Sequence, residues 1–212
     1  MSLKDISILG AGGHCKVVLS TLRAAGHEVA RILDDDPARA GETIMGVPVL
    51  GPIALLPDDP ATLAVAAIGN NRFRQTVANR FRRVTWVNAV HPAAWVDPSV
   101  KLGPGTMILA GAVIQPDSVL GAHVIVNTGA TVDHDCTVGD FAHVAPGAHL
   151  AGDVHLGQGA FMGIASTAIP GVTLGDWASV GAGAAVIRDV PAGTVAVGVP
   201  ARPVAGMRRQ RP

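Results

Sequence analysis

Between Val132 and Cys136 the chain sets a histidine between two carboxylates, Asp133-His134-Asp135. An imidazole titrating near pH 6.5 can take a proton from a nucleophile at neutral pH. A carboxylate beside it fixes the tautomer and stabilises the imidazolium. The bland alternative is a solvated histidine on a surface turn. A second candidate is Gly10-Ala11-Gly12-Gly13-His14, which follows the apolar run "ISILG". A strand that enters a helix through such a turn presents backbone N–H groups to phosphate. Cys15 stands where the dinucleotide fingerprint needs its third glycine, which weakens a nicotinamide reading. "ILDDD" places Asp34 and Asp35 after the next strand, where carboxylates can accept from a ribose or base, while Asp36 before Pro37 reads as solvated. Asn70 and Asn71 are expected along the same edge.

The elements that must carry these residues fall into two rhythms. Residues 1–88 alternate short apolar strands with helical patterns, which implies a parallel α/β sheet of Rossmann-like type. "RFRQTVANRFRR" has helical spacing and a basic face, whose arginines are expected in solvent. From Val90 the period is six. Val90, Val96, Leu102, Ile108, Ile114, Leu120, Val126, Val132 and Val138 begin one apolar register that runs to Val186. A second register from Ala94 through Ala130, Cys136 and Ala142 to Val190 holds small or medium residues. A bulky inward residue and a small corner residue every six positions are the signature of a parallel β-helix. Seventeen hexads, three to a coil, make between five and six coils of 18 residues. At the usual strand spacing the column is roughly 25–30 Å tall. It occupies residues 89–205, followed by a polar tail at 206–212.

Composition narrows the function. The 212 residues carry 16 basic and 16 acidic side chains, so no basic excess points to nucleic acid or an anionic membrane surface. No apolar run reaches about 18 residues, and the N-terminus lacks a signal-peptide pattern. Two cysteines, Cys15 and Cys136, make no disulfide framework, and a cytoplasmic setting is expected. With aromatics at 3% and 26 glycines, the core must be aliphatic and turn-rich.

The hexad array resembles that of left-handed β-helix acyltransferases, and the handedness comes from that resemblance. "GAGGHCKVV", "ILDDD", "AIGNNRFR", "VNTGATVDHDC" and "VGVPARPV" occur in the order seen in bacterial nucleotide-sugar N-acetyltransferases related to sialic acid O-acetyltransferases. Within that group the chain is similar to enzymes that acetylate UDP-4-amino sugars in bacillosamine synthesis. The resemblance implies an N-terminal domain that holds the nucleotide sugar through Gly12, Gly13, His14, Asp34, Asp35 and Asn70, with Asn127 contacting the sugar. It implies acetyl-CoA as co-substrate, with His143, Gly152, Ile164 and Ala182 at the cofactor groove. His134 would be the general base and Asp135 its support. The implied assembly is a homotrimer with sites between subunits. Apolar residues on the outer register, Val113, Val119 and Ile125, are expected to mark that interface.

Asn127 could instead close an asparagine ladder, and Ile164 and Ala182 could be ordinary packing. The same residues admit three other functions: a sugar O-acetyltransferase using the same base, a zinc-dependent β-helix carbonic anhydrase using His143, His149 and His155, and a binding scaffold. The three histidines are six apart and so fall on successive faces, and no metal is expected.

Overall fold

The computed structural model describes residues 6–204, so the tail expected at 206–212 lies outside the described residues. The N-terminal sheet is ordered β3-β4-β2-β1-β5-β6, with β1 (Ile6–Leu9), β2 (Val29–Leu33), β3 (Thr43–Ile44), β4 (Val47–Gly51), β5 (Leu63–Ala66) and β6 (Thr85–Trp86). β1 is buried along its whole length and pairs in parallel with β2 and β5, as an uninterrupted apolar run requires of a central strand. Helix α1 (Gly13–Ala24) buries Cys15, Val18, Leu19 and Leu22, one stripe at helical spacing. Helix α2 (Asn71–Ala78) starts at the Asn70 cap, whose side chain accepts from the Phe73 N–H, and ends at Asn79.

The solvation expected for the arginines of this segment is wrong at Arg74. Its side chain is 0% exposed. Asn71, Arg74, Val77 and Ala78 form the buried face of α2, so Arg74 sits among the packing residues. Helix geometry, at three to four residues per turn, puts it there whatever its charge.

From Ala89 the chain winds a left-handed β-helix. Its three faces hold sheets of eight, six and five strands, most of them only two residues long. Up to Ala185–Val186 the strands pair in parallel at 18-residue spacing, as in Ile125↔His143↔Phe161, and in the last coil the spacing shortens to 16 and the final strand, Arg202–Pro203, pairs antiparallel. The inward register is buried, including Val126, Val132, Val138 and Val144. Each turn needs a left-handed backbone. One corner uses Asp117, Asp135 and Asp153, and another uses His123, Phe141 and Trp177, at φ of 54–61°. Aspartate tolerates this region, whereas bulky rings there are uncommon.

One face of the prism, with Ala89, Met107 and Ile125, is covered by α1 in a single shared core. Ile125 is therefore fully buried inside the chain, against the expectation that it lies on an outer interface. Residues six apart share a register but occupy successive faces. Val119, on an uncovered face, is 41% exposed, and Val113 is half-buried.

Candidate active site

The candidate residues gather in two places. The first is the corner between the face of Thr131–Val132 and the face of Thr137–Val138. Its turn is tied to the coil below. The Ser118 hydroxyl donates to the Asp133 carbonyl at 2.8 Å and accepts from the Cys136 N–H at 3.2 Å. Asp135 takes the left-handed conformation at φ 61°, which points the turn outward. His134 is exposed, and its Nδ1 lies 2.8 Å from Asp135 Oδ2. That carboxylate bond, aided by the charges of Asp133, Asp135 and Asp153, raises the histidine pKa above its usual value, with slight burial opposing. Because the Nδ1–H donates to Asp135 Oδ2, Nε2 carries the free lone pair of the neutral ring.

Gly152, one coil on, lies against this ring. A Cβ at Gly152 would stand 2.5 Å from Cε1 and 2.6 Å from Nε2 of His134. In this position the imidazole fills the space a side chain at residue 152 would take.

The second place is the face under the N-terminal domain. There Gly10 follows β1 with φ of +99°, and a Cβ on it would stand 2.9 Å from Ile68 Cγ1, so a side chain is excluded. Gly12 caps α1, and a Cβ on Gly12 or Gly13 would meet nothing within 4 Å. The turn is therefore open above the helix N-terminus. Asp34 Oδ2 accepts from the Ala11 N–H at 2.5 Å, and Oδ1 from the Asp36 N–H, so Asp34 shapes the glycine turn itself. Asp35 accepts from the Ile53 N–H and pairs with Arg80 at 2.6 Å.

His14 faces His143 with ring centroids 6.5 Å apart, and Phe161 meets the His143 ring edge-on at 5.3 Å. His143 is 7% exposed. Burial, then the charges of Arg74 and His14, lower its pKa to about 3, with the Gly69 carbonyl opposing. Burial and Arg74 bring His14 to about 4. Asn127 Oδ1 accepts from the Thr128 N–H at 2.8 Å, which fixes the amide orientation. Its Nδ2 therefore donates to His143 Nε2 at 3.1 Å. The proton of the neutral His143 ring must then sit on Nδ1. Asn127 keeps a second N–H for a ligand.

Asn127 stands at the corner where this face ends, and the column of Ile164 and Ala182 lies exposed beside it, Ile164 at 57%. Asn70 lines a cleft with Asn71, Arg72, Phe161, Trp177 and Ser179 on the same face. His14, Asn70, Asn127 and His143 thus come together, and His134, Asp135 and Gly152 come together, but the two groups do not meet. Nine residues separate His134 from His143, which is half of an 18-residue coil, so they point from opposite sides of the prism. His143, His149 and His155 fall on three different faces and cannot converge on one ion within a chain. Sequence reasoning missed Phe161, His123 and Arg74. For Arg74 the signal was present in its spacing with Asn71 and Val77.

Residues 5–81 match the family model described as the PglD N-terminal domain, and residues 99–134 match the bacterial transferase hexapeptide model of six repeats. PerB from Caulobacter crescentus, solved with CoA and GDP-perosamine, is 44% identical with a TM-score of 0.89, covering 96% of this chain and 99% of that one. The acetyltransferase domain of PglB from Neisseria gonorrhoeae FA1090, solved with acetyl coenzyme A, is 37% identical with a TM-score of 0.87, covering 95% and 99%. UDP-N-acetylbacillosamine N-acetyltransferase of Bacillus subtilis (strain 168) is 37% identical over 113 residues, 51% of this chain and 52% of that protein. An uncharacterised mimivirus protein, L142, matches at 30% over 130 residues, 59% of this chain and 26% of its own. The chain thus spans from a quarter to about half the length of the curated relatives it matches. Fold and paired domains together define a hexapeptide-repeat transferase with a PglD-type N-terminal domain. Within that class the chain belongs to the sugar N-acetyltransferase family of PerB and the PglB acetyltransferase domain.

Proposed function

We propose that the protein transfers the acetyl group of acetyl-CoA to the 4-amino group of a nucleotide-linked amino-deoxysugar, with His134 as general base. One observation carries this reading: an exposed imidazole held at Nδ1 by a carboxylate, leaving Nε2 free to accept a proton. The amine nitrogen bonds to the thioester carbonyl carbon while Nε2 takes the ammonium proton. The C–S bond then breaks, and the proton passes from His134 to the departing CoA thiolate. Asp135 stabilises the imidazolium in between. A backbone N–H at Gly152 is suited to the developing oxyanion.

The glycine turn and the Asp34–Asp35 edge are the groups suited to the nucleotide and its diphosphate, and Asn127 to the sugar. The exposed column at Ile164 and Ala182 suits the pantetheine arm. Because His134 and the His14–His143 group lie on opposite sides of one prism, the reading requires a homotrimer in which the neighbouring chain supplies the base. The known ligands of the relatives support both substrates: GDP-perosamine and CoA in PerB, acetyl coenzyme A in PglB. The resemblance to the bacillosamine enzymes points to UDP, whereas PerB, similar over nearly the whole chain, was solved with GDP-perosamine, so both nucleotides enter the test. Dependence on acetyl-CoA fits a cytoplasmic enzyme. No helix among the described residues is long and apolar enough to cross a membrane.

The test is a panel of UDP- and GDP-linked amino- and hydroxy-sugars incubated with acetyl-CoA, followed by release of free thiol. Turnover of 4-amino sugars is expected. Turnover of hydroxy-sugars alone would replace this reading with O-acetylation.

A further inference from the structure

A β-helix corner leaves backbone carbonyls that no neighbouring coil needs. Among the described residues, the carbonyls of His123, Phe141 and Gly159 accept no backbone N–H. They belong to one corner column, 18 residues apart, and α2 lies against that column. A buried carbonyl without a partner is costly, so this interface needs donors.

Arg74 and Asn71 supply them. Arg74 Nε donates to His123 O at 2.9 Å, and Nη2 to Phe141 O at 2.7 Å and to Ala142 O at 3.4 Å. Asn71 Nδ2 donates to Gly159 O and Ala160 O at 3.3 Å, and its Oδ1 accepts from Arg74 Nη2 at 3.0 Å. The two side chains therefore span three successive coils. Arg74 Nη1 turns the other way, to Ile68 O at 2.7 Å and Gly69 O at 3.5 Å. That loop joins β5 to α2, packs against Gly10 of the glycine turn, and places Gly69 over His143.

Among the described residues no carboxylate pairs with Arg74. Its charge is met by carbonyl dipoles alone, an arrangement that apolar packing would replace if adhesion were the only demand. A guanidinium offers five N–H groups in a rigid plane, which is what reaching two coils and a loop at once requires.

We propose that Arg74 is a positioning residue, locking the glycine turn (residues 10–14) and the loop at residues 68–71 onto the β-helix so that the nucleotide-sugar site is assembled before ligand arrives. This rests on the reading of that face as the nucleotide-sugar site. Its buried charge also contributes to keeping His14 and His143 neutral.

The test compares Arg74→Met and Arg74→Lys with wild type by amide hydrogen exchange without ligand, and by the KM for each substrate. A lysine brings three N–H groups to one point and cannot span the coils and the loop together. Faster exchange at residues 10–14 and 68–71 is expected, with the amides of the Thr131–Val132 and His149–Leu150 coils unchanged. The KM for nucleotide sugar should rise about tenfold, as when the competent arrangement is populated a tenth of the time. The KM for acetyl-CoA should stay within about twofold by the same argument. Arg74→Lys should shift both readouts in the same direction by less, and it carries the test if Arg74→Met does not fold. Wild-type exchange at both loops in the lysine variant would overturn the proposal. So would a uniform rise that includes the coils, which marks general destabilisation. The exchange result stands whether or not the sugar panel succeeds, so failure of the clamp and failure of the acetyltransferase reading are separable.

Discussion

His134 and His143 are nine residues apart in the same repeat, and they behave as different kinds of group. His134 stands on a free corner beside Asp135, and its pKa is raised. His143 lies under the N-terminal domain, near Arg74 and His14, and its pKa is lowered to about 3. Their places on the coil differ, His134 in the corner turn after Thr131–Val132 and His143 in the strand His143–Val144. They are separated further by which side of the prism a second domain covers. The repeat therefore offers both exposed corners and strand faces, and the covering domain decides which histidine is left in solvent with a raised pKa and which is buried and held neutral.

The largest expected effect tests the exposed side. His134→Ala should lower turnover by about 10²–10⁴-fold, the usual worth of a general base, with little change in binding of either substrate. Asp135→Asn should cost less, since the base remains but is poorly held. Near-normal turnover in the alanine variant at neutral pH would remove the chemical difference between the two histidines. The pH profile adds a check. The wild-type rate should fall as pH drops through the raised pKa of His134, and comparison with His134→Ala separates this from protonation of the substrate amine.

A second variant moves the ring without deleting it. In Gly152→Ala the new methyl would push against the exposed imidazole, which can swing away, so the melting temperature should hardly change. Displacing the base by about 1 Å should still cost on the order of 10²-fold in kcat. Wild-type kcat in this variant would show that the His134 position is not critical.

The third test addresses the covered side through stability. His14 and His123 are lowered to about 4, and His143 to about 3, in each case chiefly by burial. The unfolded chain takes up these protons near pH 6.5, before the folded one does. Stability is therefore full above about pH 6.5 and is lost as pH falls towards the folded values, at up to about 1.4 kcal/mol per pH unit for each histidine. Denaturant titrations between pH 7 and 5 should show this slope, reduced in His143→Asn. A slope unchanged in His143→Asn would place His143 in solvent and erase the contrast with His134.

The β-helix was legible because its period is a local property. A six-residue beat of Val126, Val132 and Val138 can bury itself only by coiling, and the small register at Ala130, Cys136 and Ala142 can only be its corners. His134 was legible for the same reason, being off the inward register. Arg74 was legible only in part: its spacing with Asn71 and Val77 puts it on the packed face of the helix, but a charged side chain reads as solvated until carbonyls meet it. Ile125 was misread because register alone does not tell which face a second domain will cover.

The sequence by itself thus determined the two architectures, the open glycine turn and the Asp133-His134-Asp135 corner, since each follows from neighbouring residues and a fixed period. Only the tertiary structure decided that α1 and α2 close over one face. That docking buries Ile125, Arg74 and His143 and leaves the His134 corner in solvent. Those outcomes depend on contacts such as Arg74 with His123 and Phe141, which are 49 and 67 residues apart in the chain. No local pattern encodes a hydrogen bond that exists only once two separately patterned domains have met.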